Sequence, residues 1–208
     1  MKTLIITDVQ HDFMPGGALG VPGANEIIPV INRIIPKFDH VLATQDWHPP
    51  HHVSFASTHQ KKVGEVIQVG GVEQILWPDH CIQGTKGADF AKGLHRERIE
   101  GIYHKGVDPK VDSYSAFFDN SRKRSTGLAA HLKKHNLKEL YFVGLATDYC
   151  VLYSVLDSCE LGFTTFLIQD GCKAINLNPG DENRALEKMR ADGAIVIDSS
   201  ETLGFRRF

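Results

Sequence analysis

Six short apolar runs, several of them uninterrupted by any polar residue, recur along this 208-residue chain with helix-like stretches between them. They cover residues 3–7, 40–45, 101–104, 140–144, 164–168 and 194–197. A continuous apolar run suits a strand buried on both faces, which is the usual state of strands in a parallel sheet covered by helices. The stretches between them support that reading. Residues 26–35 place Ile27, Val30, Ile31 and Ile34 at helical spacing, with Pro29 tolerated only in the first turn and Pro36 marking the end. Residues 127–135 predict a second helix. Residues 148–161 predict a third, with Val151, Val155 and Cys159 on one face and Gly162 as its stop. A last helix is expected over about 179–192, with Asn178 as N-cap, Pro179 in the first position and Gly193 beyond the end. Strands alternating with helices predict an α/β fold around a parallel sheet. Residues 51–84 fit neither period, and a connection that long inside a compact domain is usually functional or disordered. With no internal repeat and no linker, one domain is expected over residues 1–208, with 51–84 as its long loop.

Composition narrows the function classes. A net charge of -2 gives no electrostatic reason to expect nucleic acid or an anionic membrane as partner. The N-terminal apolar run is too short for a signal peptide and is closed by Asp8. No stretch approaches the roughly 18 apolar residues of a membrane span. The four cysteines, Cys81, Cys150, Cys159 and Cys172, contain no C-x-x-C, which argues against a zinc ribbon or a thioredoxin-like site. A cytoplasmic protein with reduced thiols is expected.

In open parallel sheets, ligands bind beyond the carboxyl ends of the strands. Here the first strand ends in Asp8, the second in Asp46-Trp47-His48, the third in His104-Lys105, and the fourth runs into Thr147-Asp148-Tyr149-Cys150. A carboxylate, a carboxylate–imidazole pair, an amine and a thiol are thus delivered to one edge. An arbitrary cysteine is more often a small buried hydrophobe than a nucleophile. Cys150 differs by its position: with Thr147 as N-cap it falls in the first turn of a helix, where backbone N–H groups and the helix dipole should lower the thiol pKa and could hold an oxyanion. Asp8 is the candidate base, and Lys105 the charge that keeps Asp8 and a thiolate ionised together. Taken alone, Asp8 reads as a turn residue and Lys105 as a solvated strand end. Cys159 and Cys172 are assigned to packing.

Asp46 and His48 are two apart on an extended segment and so point the same way. His80, in Trp77-Pro78-Asp79-His80-Cys81, offers a third ligand, and two His with one carboxylate suit Zn, Fe or Mn with positions left open. His51, His52 and Ser54 are near enough to assist, and Cys81 is an alternative ligand. His131 and His135 read as a solvated helix face, His40, His59 and His95 as histidines without partners, and Arg122-Lys123-Arg124 as a surface loop. Gly16, Gly17 and Gly20 open no G-x-G-x-x-G helix, which argues against a dinucleotide site.

Together these motifs form a recognisable set. Asp8-Val9-Gln10-His11-Asp12-Phe13, Thr44-Gln45-Asp46-Trp47-His48-Pro49, Ser54-Phe55-Ala56-Ser57 and Trp77-Pro78-Asp79-His80-Cys81 come in that order. His104-Lys105-Gly106, Asp112-Ser113-Tyr114-Ser115-Ala116-Phe117-Phe118-Asp119 and Gly144-Leu145-Ala146-Thr147-Asp148-Tyr149-Cys150-Val151 follow. The sequence resembles the bacterial nicotinamidases (pyrazinamidases) of the isochorismatase-like cysteine hydrolase superfamily, nearly end to end. The resemblance implies a three-layer, Rossmann-like α/β fold with about six mostly parallel strands and helices on both faces. It implies hydrolysis of nicotinamide to nicotinate and ammonia in NAD recycling, with pyrazinamide as an accepted analogue. Asp8, Lys105 and Cys150 become the triad, and the N–H groups of Ala146 and Cys150 the oxyanion hole, behind a cis bond preceding Ala146. Asp46, His48 and His80 become ligands of one divalent metal ion, zinc first, with iron or manganese as alternatives. Phe13, Trp77 and Tyr114 become the walls around the pyridine ring. The expected partner is the small-molecule substrate, with room for a homo-oligomer. Two other readings stay open: a metal-free carbamoyl-type amidohydrolase that keeps the triad, and a non-enzymatic, metal-dependent binder of small heteroaromatic ligands.

Overall fold

In the computed structural model, which describes residues 1–202 and Gly204, six strands form one sheet whose paired neighbours all run parallel. In chain order the strands are β1 (Lys2–Thr7), β2 (His40–Asp46), β3 (Val66–Val69), β4 (Val72–Ile75), β5 (Gly101–Lys105), β6 (Glu139–Leu145), β7 (Thr164–Lys173) and β8 (Ile195–Ile197). The helices are α1 (Ile27–Ile34), α2 (Ala56–His59), α3 (Leu128–Lys134), α4 (Leu152–Glu160) and α5 (Asp181–Ala191). The large sheet has the order β5-β2-β1-β6-β7-β8. The chain builds outward from β1 to β2 and β5, then returns to the other flank of β1 with β6. The reversal of strand order therefore lies between β1 and β6.

Side chains of β1 alternate between two cores. Leu4 and Ile6 pack with Ile27, Ile31 and Ile34 of α1, whereas Ile5 packs with Leu128 and Leu132 of α3, Val155 of α4, and Leu186 and Met189 of α5. Helices on both faces make three layers and explain why the strand runs are apolar without interruption.

The structure departs from the sequence expectation in three places. The 51–84 stretch contains a helical turn, α2, and an antiparallel hairpin, β3–β4. The hairpin turns through Gly70 and Gly71, both at positive φ, a pairing that matches the strand twist. The last helix begins at Asp181 after Gly180 rather than at Pro179. Asn178 is not its cap. The Asn176 side chain accepts from the Glu182 N–H, while Asn178 gives its own N–H to Asp181. Thr147 is likewise not a cap, because its hydroxyl is buried without a partner. Residues Thr147–Val151 form a wide π turn before α4, with the Val151 N–H reaching the Ala146 carbonyl. Among the described residues, no helix is long and apolar enough to cross a membrane.

Candidate active site

The reversal point puts the ends of β1 and β6 side by side, with Thr7 opposite Gly144 in the register. Gly144 is required there, since a Cβ would run into the Thr7 backbone and φ is +117°. Asp8 follows β1 and the Cys150 turn follows β6. The peptide bond between Leu145 and Ala146 is cis. On the other flank, β2 and β5 pair Asp46 with Lys105. Four parallel strands thus bring Asp8, Asp46, Lys105 and Cys150 together, as the strand-end argument expects.

Lys105 is the hub. Its side chain is fully buried, and its ammonium donates to Asp46 Oδ1, to the Ser113 carbonyl at 3.0 Å and to Cys150 Sγ at 3.3 Å. Those three contacts use its three protons. Asp8 Oδ2 lies 2.9 Å from Nζ yet has no aligned donor, while Asp8 Oδ1 accepts from the Thr44 hydroxyl at 2.7 Å. Acceptor atoms of Asp8, Asp46 and Cys150 all fall within 4.8 Å of one another. The buried site is therefore negative but for one cation, with a carboxylate lone pair left free beside a thiol.

The local field separates these groups. Burial pushes the Asp8 carboxyl up to about 6 against the pull of Lys105. Asp46 is also buried, but Lys105 and the two histidines hold its carboxyl well below the usual range. Burial would lower Lys105, yet Asp46 and Asp8 hold it far above an ordinary ammonium. Cys150 corrects the expected direction. Burial raises its thiol well above the usual value, outweighing Lys105 beside it, so the resting group is a thiol.

Asp46 Oδ2 faces the second half of the site. It lies 3.7 Å from His48 Nε2 and 3.8 Å from His80 Nε2. Each imidazole meets a backbone carbonyl with its other nitrogen, His48 at Gly106 (2.9 Å) and His80 at Pro78 (2.7 Å). A carbonyl only accepts, so in both rings the proton sits on Nδ1, and a neutral ring turns the Nε2 lone pair toward Asp46. Burial pushes His48 down to about 4, whereas the nearby Asp46 raises His80 despite its burial. Acceptors converging in this way fit a divalent cation between them, and the carbonyl bonds are the outer contacts that orient metal-binding imidazoles. His52 stacks on His48 with ring centroids 4.2 Å apart, bonds Ser54 through Nδ1, and keeps a buried Nε2 without a partner.

A narrow pocket opens onto both halves. Phe13, Trp77, Tyr114, Ala146 and Cys150 line it, together with Asp46, His48 and His80. All three expected ring-binding residues therefore face it. A roomier cleft beside Arg122 has Glu73, Asp119 and Asp157 in its walls, so chemistry rather than size distinguishes the smaller pocket.

Several contributors to the site stand outside the residues expected from the sequence. Tyr149 lines the pocket and packs edge-on against Trp77, whose indole N–H donates to the Tyr114 hydroxyl at 3.1 Å. Gln10 accepts from Asp46 N and donates to the Asp46 carbonyl. Its position two residues beyond Asp8 was the available signal. Ser154 donates to the Cys150 carbonyl at 2.6 Å and accepts from Ala116 N. Two histidines expected to lack partners have them, and Arg122, expected in a surface loop, is tied to α4. His40 meets Glu100 at 2.8 Å, His59 meets the Val53 carbonyl, and Arg122 reaches Asp157 and Glu160 on α4.

Comparison with known proteins places this geometry. The isochorismatase domain family matches residues 2–201. The nicotinamidase of Escherichia coli (strain K12) is 44% identical over 210 residues, covering 98% of this chain and 99% of that protein. The Acinetobacter baumanii nicotinamidase/pyrazinamidase structure superposes with a TM-score of 0.94 at 42% identity, over 97% of this chain and 98% of that one. The Pyrococcus horikoshii pyrazinamidase, solved in complex with zinc, gives 0.78 at 37% identity, over 95% and 98%.

Proposed function

The chain belongs to the isochorismatase family, and from that premise we propose that it is a metal-dependent cysteine amidohydrolase that converts nicotinamide to nicotinate and ammonia. One observation carries the reading: a single buried ammonium holds Asp8, Asp46 and Cys150 together, and Asp46 and Cys150 line an aromatic-walled pocket. The near-full-length likeness to named nicotinamidases supplies the substrate class. Pyrazinamide keeps the ring nitrogen and carboxamide and is expected to be accepted.

Asp46, His48 and His80 would hold the metal ion, with zinc the first choice by likeness to the zinc-bound relative and iron or manganese as alternatives. When bound, the ion offers a Lewis-acid position to the pyridine nitrogen. The protein does the rest. Phe13, Trp77 and Tyr114 sandwich the ring, so the carboxamide carbon is presented to Cys150 and much of the barrier is met by positioning. Asp8 Oδ2, which has no aligned donor, takes the thiol proton as Sγ bonds to the carbonyl carbon. The N–H groups of Ala146 and Cys150 receive the oxyanion. Asp8 returns its proton to the amide nitrogen, the C–N bond breaks, and ammonia leaves a thioester on Cys150. Asp8 then deprotonates a water molecule that attacks the thioester, releasing nicotinate and restoring the thiol. Throughout, Lys105 keeps its charge and offsets the negative charge that moves between Asp8 and sulfur.

A single catalytic domain spanning 1–208 and a cytoplasmic place in NAD recycling complete the proposal. Four unpaired cysteines are consistent with a reducing compartment. Trapping tests the covalent step. Turnover in hydroxylamine should divert product to nicotinohydroxamate in proportion to the nucleophile. Nicotinate as sole product at saturating hydroxylamine would count against a thioester.

A further inference from the structure

Gly106 lies directly after Lys105, where β5 ends, and has φ of +64°. Its carbonyl accepts from His48 Nδ1 at 2.9 Å. A Cβ on residue 106 would lie 2.5 Å from that same nitrogen and would overlap Cε1. Three neighbouring rings limit its retreat. His52 stacks on it at 4.2 Å, His80 meets it edge-on at 4.9 Å and Phe55 at 5.5 Å, and His48 is 1% exposed. Meanwhile the Lys105 carbonyl accepts from Trp47 N at 2.9 Å, tying the two segments together one residue before each contact.

We propose that Gly106 is the positioning residue for His48: the absent side chain lets the imidazole lie against the backbone that orients it. One turn then serves both halves of the site, with Lys105 turned to the thiol and Gly106 fixing the Nε2 lone pair of His48 toward Asp46 and His80. The inference rests on the metal site proposed above.

The test titrates zinc alone into metal-free wild type, Gly106→Ala and Gly127→Ala, in competition with a chelating dye, and records the visible spectrum of each with cobalt(II). Gly127 also has positive φ (+91°), but a Cβ there meets nothing within 4 Å, so it reports backbone strain without displacement of a ring. The expected result is zinc affinity roughly tenfold or more weaker in Gly106→Ala, the range typical of lost outer contacts to a ligand. An altered cobalt spectrum should accompany it, with Gly127→Ala matching wild type in both. Wild-type affinity and spectrum in Gly106→Ala would overturn the proposal. A wild type that takes up no zinc would instead overturn the metal assignment, a different failure. If Gly106→Ala does not fold, His48→Ala/Gly106→Ala decides: recovery of folding once the imidazole is gone supports the overlap, and continued unfolding contradicts it.

Discussion

Asp8 is the residue on which the chemistry turns, and its environment makes a signed statement about pH. Burial holds its carboxyl at about 6, so it is protonated below that value and cannot accept the thiol proton. The rate constant kcat/KM should therefore fall as pH drops through about 6 and level off above it. Asp8→Asn should cost roughly 10²–10⁴ in kcat, the usual worth of a positioned proton-transfer group. A flat profile from pH 5 to 7 would contradict Asp8 as base. Lys105 makes a different prediction. Replacing it with Met leaves two carboxylates buried without their cation, and breaking a buried pair in this way costs about 3–5 kcal/mol. Thermal denaturation should show a Tm lower by roughly ten degrees, given 2–4 °C per kcal/mol in a chain of this size. At this scale the candidate residues were legible from position: Asp8, Asp46 and Lys105 each close a strand run, and Cys150 lies in the turn that follows one. Their protonation was not legible. A helix-terminus argument lowers a thiol pKa, but burial contributes with the opposite sign and is known only from the folded structure.

At the scale of elements, the π turn that carries Cys150 is stitched to the neighbouring loop by Ser154. Its hydroxyl takes the Cys150 carbonyl and the Ala116 N–H, both buried. Ser154→Ala leaves Ala116 N–H without a partner, which costs about 1–3 kcal/mol. Tm should fall by several degrees and kcat should fall with little change in KM, because the nucleophile loses its register while the ring-binding walls remain. An unchanged kcat would separate Ser154 from the nucleophile. Strand existence was legible because two-sided burial forces apolar runs. The hairpin β3–β4 was also written in the sequence, as Gly70-Gly71 between two short runs rich in Val and Ile, but lay hidden inside a stretch expected to be a loop. The π turn was not legible, since its extra residue answers to tertiary contacts rather than local propensity. Nor was the hold of Arg122 on α4, which joins residues 35 and 38 positions apart.

For the whole molecule, the site exists because a parallel sheet reverses its strand order between β1 and β6, and the long connections close over that edge. Such a site should couple metal and fold. Metal bound only by the native state stabilises it, by about 2.7 kcal/mol at a hundredfold excess over Kd. Chelation should therefore lower Tm as well as remove most activity, and zinc, iron or manganese should restore both. A chelated protein with full activity would refute the metal role. The most direct test of the central claim is ammonia release from nicotinamide by purified wild type and Cys150→Ala. The account predicts steady ammonia production by wild type and a loss of at least about 10³-fold in the variant, as for other removed nucleophiles. Comparable ammonia production by the variant, or none by metal-loaded wild type, would contradict it.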